Sequence, residues 1–225
     1  MNIYVYWNRN DNDCTKIFHC MSPNDKDSVV ECLKEENLLD IKRIYQPFSD
    51  GSHILEAIKK NDMIIFMTHG TEDSILKYRN KPDRELSEYI LLDKSNAKVL
   101  KDKVVLAFCC SSAKVLGRYC VAPETGCKAY VGFEEEIVYD NGKALKSRHF
   151  IYESYKKAFM KSLQYAVKHK CTVEEYRIKL IQFMRKEAAN AIFLAHNNTL
   201  HNMYSGTIEG LVALGNVGMK LFGDA

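Results

Sequence analysis

The sequence has no uninterrupted apolar run of about 18 residues, the length that crosses a bilayer, so no spanning helix is expected. Its opening, MNIYVYWNRNDND, lacks the long apolar segment of a signal peptide. There is no Cys-x-x-Cys pair, and the eight cysteines are not spaced like a small disulfide scaffold. Without an export signal, reduced thiols and a cytoplasmic location are expected, which leaves each cysteine as a core residue or a reactive group. No Gly-rich phosphate loop runs into Lys-Ser or Lys-Thr. Charge of one sign is also missing. Thirty-two Lys and Arg against 29 Asp and Glu leave +3, too small a bias for a nucleic-acid binder.

What is present is ordinary globular material, 46% hydrophobic and 27% charged, which excludes disordered, collagen-like and coiled-coil classes. A chain of 225 residues fits one domain, here residues 1–225, and would bury about 70% of its unfolded surface. Ile3 to Trp7, Ile41 to Tyr45, Met63 to Thr68, Val104 to Cys109 and Ala129 to Phe133 read as strands. Met63-Ile-Ile-Phe-Met67 and Val104-Val-Leu-Ala-Phe108 are continuously apolar, as in a parallel sheet covered on both faces.

Helices are expected from Ser22-Pro23 to about Leu38, from Asp50 to Lys60 and from Ser111 to Tyr119. Thr71 to Ser87, polar and holding Pro82, reads as a long mobile loop, with Tyr89 to Leu92 a short returning strand. Beyond Phe133 the period changes. Ile151, Tyr155, Ala158, Phe159, Ser162 and Ala166 share one helix face. Val173, Tyr176, Leu180, Ile181, Met184 and Ala188 share another, opened by a Thr172–Glu175 capping box. Val217 to Phe222 is the last strand. The fold class is α/β with a mainly parallel central sheet.

Two apolar strands end in reactive residues, Thr68-His69-Gly70 and Cys109-Cys110-Ser111-Ser112. The carboxyl ends of parallel strands lie on one edge, so side-by-side pairing would bring His69 to a cysteine. A histidine there can take the thiol proton and return it to a leaving amine. Gly70 permits close backbone approach, leaving its N–H able to face an oxyanion. A helix starting at Ser111 would favour a thiolate at Cys110. Side chains alternate along a strand, which turns Cys109 into the core and Cys110 toward the edge.

This order of elements resembles the caspase-like superfamily of cysteine peptidases (clan CD), closest to the CHAT-type and separase-like branches. The similarity runs through the His69-Gly70 and Cys109-Cys110-Ser111-Ser112-Ala113 strand ends, the strand Lys128 to Phe133 and the helix from Phe150. The ending Lys220-Leu-Phe-Gly-Asp-Ala225 is similar to that of some CHAT-like and gingipain-like peptidases. Cys109 stands where those families place Ala or Gly, and Ala113 where they place Gly. The resemblance implies a three-layer caspase-like fold with helices flanking the sheet. It implies a cysteine endopeptidase with His69 as general base and acid and Cys110 as nucleophile. The backbone N–H groups of Gly70 and Cys110 would form the oxyanion hole. No cofactor is implied. The implied partners are a protein substrate and a regulatory protein that restrains a cytoplasmic peptidase, with neither nucleic acid nor a membrane.

Glu134, Glu135 and Glu136 follow a sheet strand and are candidates to pair with a Lys or Arg of the substrate, against the plainer reading of a solvated acidic loop. Asp140 is a weaker candidate. His149, His196 and His201 with Cys120 or Cys127 match no common zinc spacing, so no metal is expected. The rival to an enzyme is a catalytically silent α/β regulatory domain that binds a small molecule or protein at the same edge.

Overall fold

The computed structural model describes residues 2–8, 51–77, 89–137, 145–197 and 219–223. The expected helix from Ser22 to Leu38 and strand from Ile41 to Tyr45 lie outside the described residues, as do Pro82, Asp140 and His201.

Five strands form the main sheet: β1 (Ile3–Trp7), β2 (Met63–Met67), β5 (Val104–Phe108), β6 (Ala129–Phe133) and β7 (Met219–Gly223), side by side in that order. The first four are parallel, and β7 runs antiparallel to β6. The register sets Trp7 beside Met67 and Met67 beside Phe108, so these strands end level with one another. The molecule is α/β with a mostly parallel sheet.

Alternation of side chains divides the core in two. Ile3, Val5, Trp7, Ile65, Met67, Leu106, Phe108, Val131 and Phe133 face one way. Against them pack α3 (Leu145–His169) and α4 (Val173–Asn197), through residues such as Tyr155, Phe159, Leu163, Tyr176, Leu180 and Met184. Tyr4, Tyr6, Ile64, Phe66, Val105, Ala107 and Tyr130 face the other way. There they meet Ile54 and Ile58 of α1 (Gly51–Lys59), with Leu100 and Leu116. Cover on both faces is why β2 and β5 read as unbroken apolar runs. The capping box opens α4 as the sequence indicates: Thr172 N donates to Glu175 Oε2 at 2.7 Å, and Glu175 N to Thr172 Oγ1 at 3.2 Å.

Two expectations change. The stretch after His69 is not wholly a loop. Its one apolar pair forms β3 (Ile75–Leu76), buried and antiparallel to β4 (Ile90–Leu92), and residues 78–88 are outside the described set. The helix expected from Ser111 begins only at Ala113, as a π-helical turn, Ala113–Gly117, running into α2 (Arg118–Cys120). Ser111 stands outside it with φ of 54°. Among the described residues no helix is long and apolar enough to cross a membrane.

Phe159 locks α3 to the sheet, with its ring centroid 4.7 Å from Phe108, 6.1 Å from Phe133 and 5.8 Å from Tyr155. It is fully buried. Phe159→Ala should lower the free energy of unfolding by about 3–5 kcal/mol, read from urea denaturation.

Candidate active site

The carboxyl edge of the sheet gathers Asn8, Thr68 to Gly70, Cys109 to Ser112 and Glu134 to Ile137, which follow β1, β2, β5 and β6. The turn after β2 is fastened from several sides. Thr68 Oγ1 donates to the Leu76 carbonyl at 2.8 Å, Leu76 N to the His69 carbonyl at 3.0 Å, and Thr71 N to the Ser74 carbonyl at 2.9 Å. Gly70 bridges Ile75. These bonds fix the backbone on both sides of His69. The residue is half-buried, and its Nε2 is shielded from water.

Gly70 is where the two reactive strand ends touch. A Cβ on it would lie 2.6 Å from the Cys110 carbonyl oxygen and 2.9 Å from Cys109 Cβ, closer than real side chains come. The backbone itself, not a turn conformation, demands glycine here. The next residues dock as well. Val115 N and Leu116 N both donate to the Glu72 carbonyl, at 3.1 and 2.9 Å, and Lys114 pairs with the Glu72 carboxylate. The segment after His69-Gly70 is thereby bound to the helical turn after Cys110.

The two cysteines part as strand alternation requires. Cys109 is fully buried with Phe66, Ala107, Ala113 and Tyr130. Burial raises its thiol pKa far above the usual value, against a smaller opposing effect from the Thr68 N–H. Cys110 is half-buried and packs on the opposite core, that of Phe108, Phe133 and Tyr155. Its Sγ accepts a hydrogen bond from Ile137 N at 3.3 Å. Burial pushes the Cys110 thiol up, and the nearby Glu136 charge adds to this; the N–H groups of Ile137 and of Cys110 itself oppose it.

The thiolate-favouring helix terminus expected behind Cys110 is therefore not what this conformation provides. The turn starts two residues later than Ser111, begins as a five-residue π-helix, and leaves burial as the dominant influence.

Of the three carboxylates, Glu134 is engaged by Arg118, with Arg118 Nη2 2.8 Å from Oε1. The Arg118 guanidinium also sits 5.7 Å from the centre of the Phe222 ring of β7. Glu135 and Glu136 point their side chains to solvent, while the Glu135 carbonyl accepts Ser111 N at 3.1 Å. Ile137, not singled out in the sequence, is buried beside Cys110. Its contribution is a backbone N–H, which no residue pattern encodes.

Cys120 and Cys127 are buried core thiols. Cys127 Sγ donates toward the Lys103 carbonyl at 3.2 Å and the Ala129 carbonyl at 3.3 Å, and burial pushes its pKa up to about 12. The side chains of His149 and His196 lie outside the described set. Among the described residues no group of three or more His, Cys, Asp or Glu converges on a metal position. A cavity of about 240 Å³ lies at the other end of the sheet, lined by Ile3, Met63, Leu163, Val167, Cys171 and Tyr176 among others. Its lining is apolar and it is remote from His69 and Cys110, so it takes no part in the chemistry of this edge.

Gly70→Ala should force the two strand ends apart and destabilise the fold by about 1–3 kcal/mol, the usual cost of overpacking, as measured by chemical denaturation. An unchanged midpoint would mean that the contact yields freely.

No protein-family model matches the chain, and no curated protein matches it in sequence.

Proposed function

We propose that the protein is a cysteine endopeptidase of caspase-like architecture, acting on protein substrates in the cytoplasm through a His69–Cys110 dyad. The observation that carries this reading is the contact at Gly70, which brings the His-Gly end of β2 against the Cys-Cys-Ser-Ser end of β5. Such an edge is where α/β sheets bind ligands.

In the reaction, His69 takes the Cys110 proton and the sulfur attacks the scissile carbonyl carbon. The oxyanion is held by the backbone N–H groups of Gly70 and Cys110. Collapse breaks the C–N bond, and His69 returns the proton to the departing amine. Water, deprotonated by His69, then cleaves the thioester and restores the thiol. The solvent-facing Glu135 and Glu136 are the carboxylates open to a Lys or Arg side chain of the substrate, and Glu134 is already paired with Arg118. A protein partner is the natural restraint on such an enzyme.

A peptidyl electrophile probe tests the dyad. Cys110→Ala should abolish covalent labelling and turnover while leaving the fold intact, and His69→Ala should abolish turnover. Cys109→Ala should keep both, since that thiol faces the opposite core. Labelling that moves to Cys109 would reassign the nucleophile, and loss in neither variant would end the peptidase reading. A peptide-library profile should show preference for Lys or Arg before the cleaved bond; preference for Asp or an apolar residue would remove the role given to Glu135 and Glu136.

The raised thiol pKa favours a second reading, a catalytically silent domain that binds a partner at the same edge. Equal, slow labelling of several cysteines that persists in an Ile137→Ala variant would support it.

A further inference from the structure

We infer that Glu134–Ile137 is a closed strap over Cys110, which holds the thiol in a latent state until the strap is displaced. This rests on the assignment of Cys110 as nucleophile. Three contacts of different kinds hold the strap in place. Ile137 N donates to Cys110 Sγ at 3.3 Å, which seats the strap's main chain directly against the sulfur. Ser111 N, the first N–H after the thiol, donates to the Glu135 carbonyl at 3.1 Å, so it is withheld from any substrate oxygen. Arg118 pins the start of the strap through Glu134 at 2.8 Å.

Burial supports the same conclusion. Ile137 is only 5% exposed and belongs to the core cluster on which Cys110 packs. An extended substrate has to reach the sulfur from the sheet edge, and the strap already lies there. The direction of the Cys110 thiol pKa, raised first by burial and further by the Glu136 charge on the strap, agrees with this closure. Opening would reverse both effects at once. It would also free the Ser111 N–H, which is kept in place by a residue in a left-handed conformation.

The anchors differ in strength. Arg118 has a 63% exposed side chain, so salt screens its pair with Glu134, and the contribution of such a pair is small. Ile137 buries an apolar side chain and is the firmer anchor.

Iodoacetamide alkylation of the full chain, followed site by site by mass spectrometry, tests the strap without requiring peptide hydrolysis. In the unaltered protein Cys110 should react much more slowly than a free thiol. Ile137→Ala should accelerate it strongly, Arg118→Ala several-fold, and added salt should accelerate the unaltered protein toward the Arg118→Ala rate. Cys127, buried elsewhere, should stay slow throughout. Cys110 reacting at a free-thiol rate in the unaltered chain would overturn the strap, as would unchanged rates in both variants. Equal acceleration at Cys127 would indicate general loosening and count against it too. Faster alkylation without peptide hydrolysis in any variant would keep the strap and refute the peptidase.

Discussion

The carboxyl edge of the sheet is assembled around the place where the Gly70 backbone lies against the carbonyl of Cys110. Parallel pairing of β2 with β5 brings the two strands level, but pairing alone leaves the loops beyond them free to diverge. The close approach at Gly70, followed by the bonds from Val115 and Leu116 to the Glu72 carbonyl, removes that freedom. Everything else at the edge inherits its position from this contact. The backbone of His69 is fixed by β3, Cys110 by the turn into the π-helix, and the segment after β6 by hydrogen bonds back to Cys110 and Ser111.

Much of this was legible in the residues. Continuous apolar runs identify β2 and β5 because cover on both faces leaves no polar alternation, and the three- and four-residue spacing of the apolar positions around Tyr155 and Phe159, and around Tyr176 and Leu180, identifies the buried faces of α3 and α4. The divergence of Cys109 and Cys110 followed from the strand period of two. What was not legible has a common cause. Ile75–Leu76 is too short an apolar pair to show a period, and its strand character comes from its partner β4. In the late-starting turn after Cys110, the Val115 and Leu116 N–H groups donate to the distant Glu72 carbonyl. The contacts from Ile137 to Cys110 and from Ser111 to Glu135 use main-chain groups, which every residue but proline carries alike.

The electrostatics of the edge are set by competition between burial and hydrogen bonding. Burial pushes the Cys110 thiol away from ionisation, and the nearby Glu136 charge adds to this. The two N–H groups that favour the anion do not overcome this. A thiol can thus be placed at the sheet edge by strand register while its surroundings disfavour its anion.

The last strand carries a temporal consequence. β7 closes the sheet on β6 in antiparallel register, Ala129 opposite Gly223 and Phe133 opposite Met219, with the long α3–α4 hairpin between them in the chain. On the ribosome, β6 emerges with one side unpaired and waits for roughly 90 further residues, roughly 5–20 s at ordinary elongation rates. During that interval a buried, apolar strand presents an open edge, and Arg118 lacks the Phe222 ring against which it rests. Nascent chains are therefore most vulnerable to mispairing between the emergence of β6 and that of β7, when a chaperone that shields strand edges would have most effect.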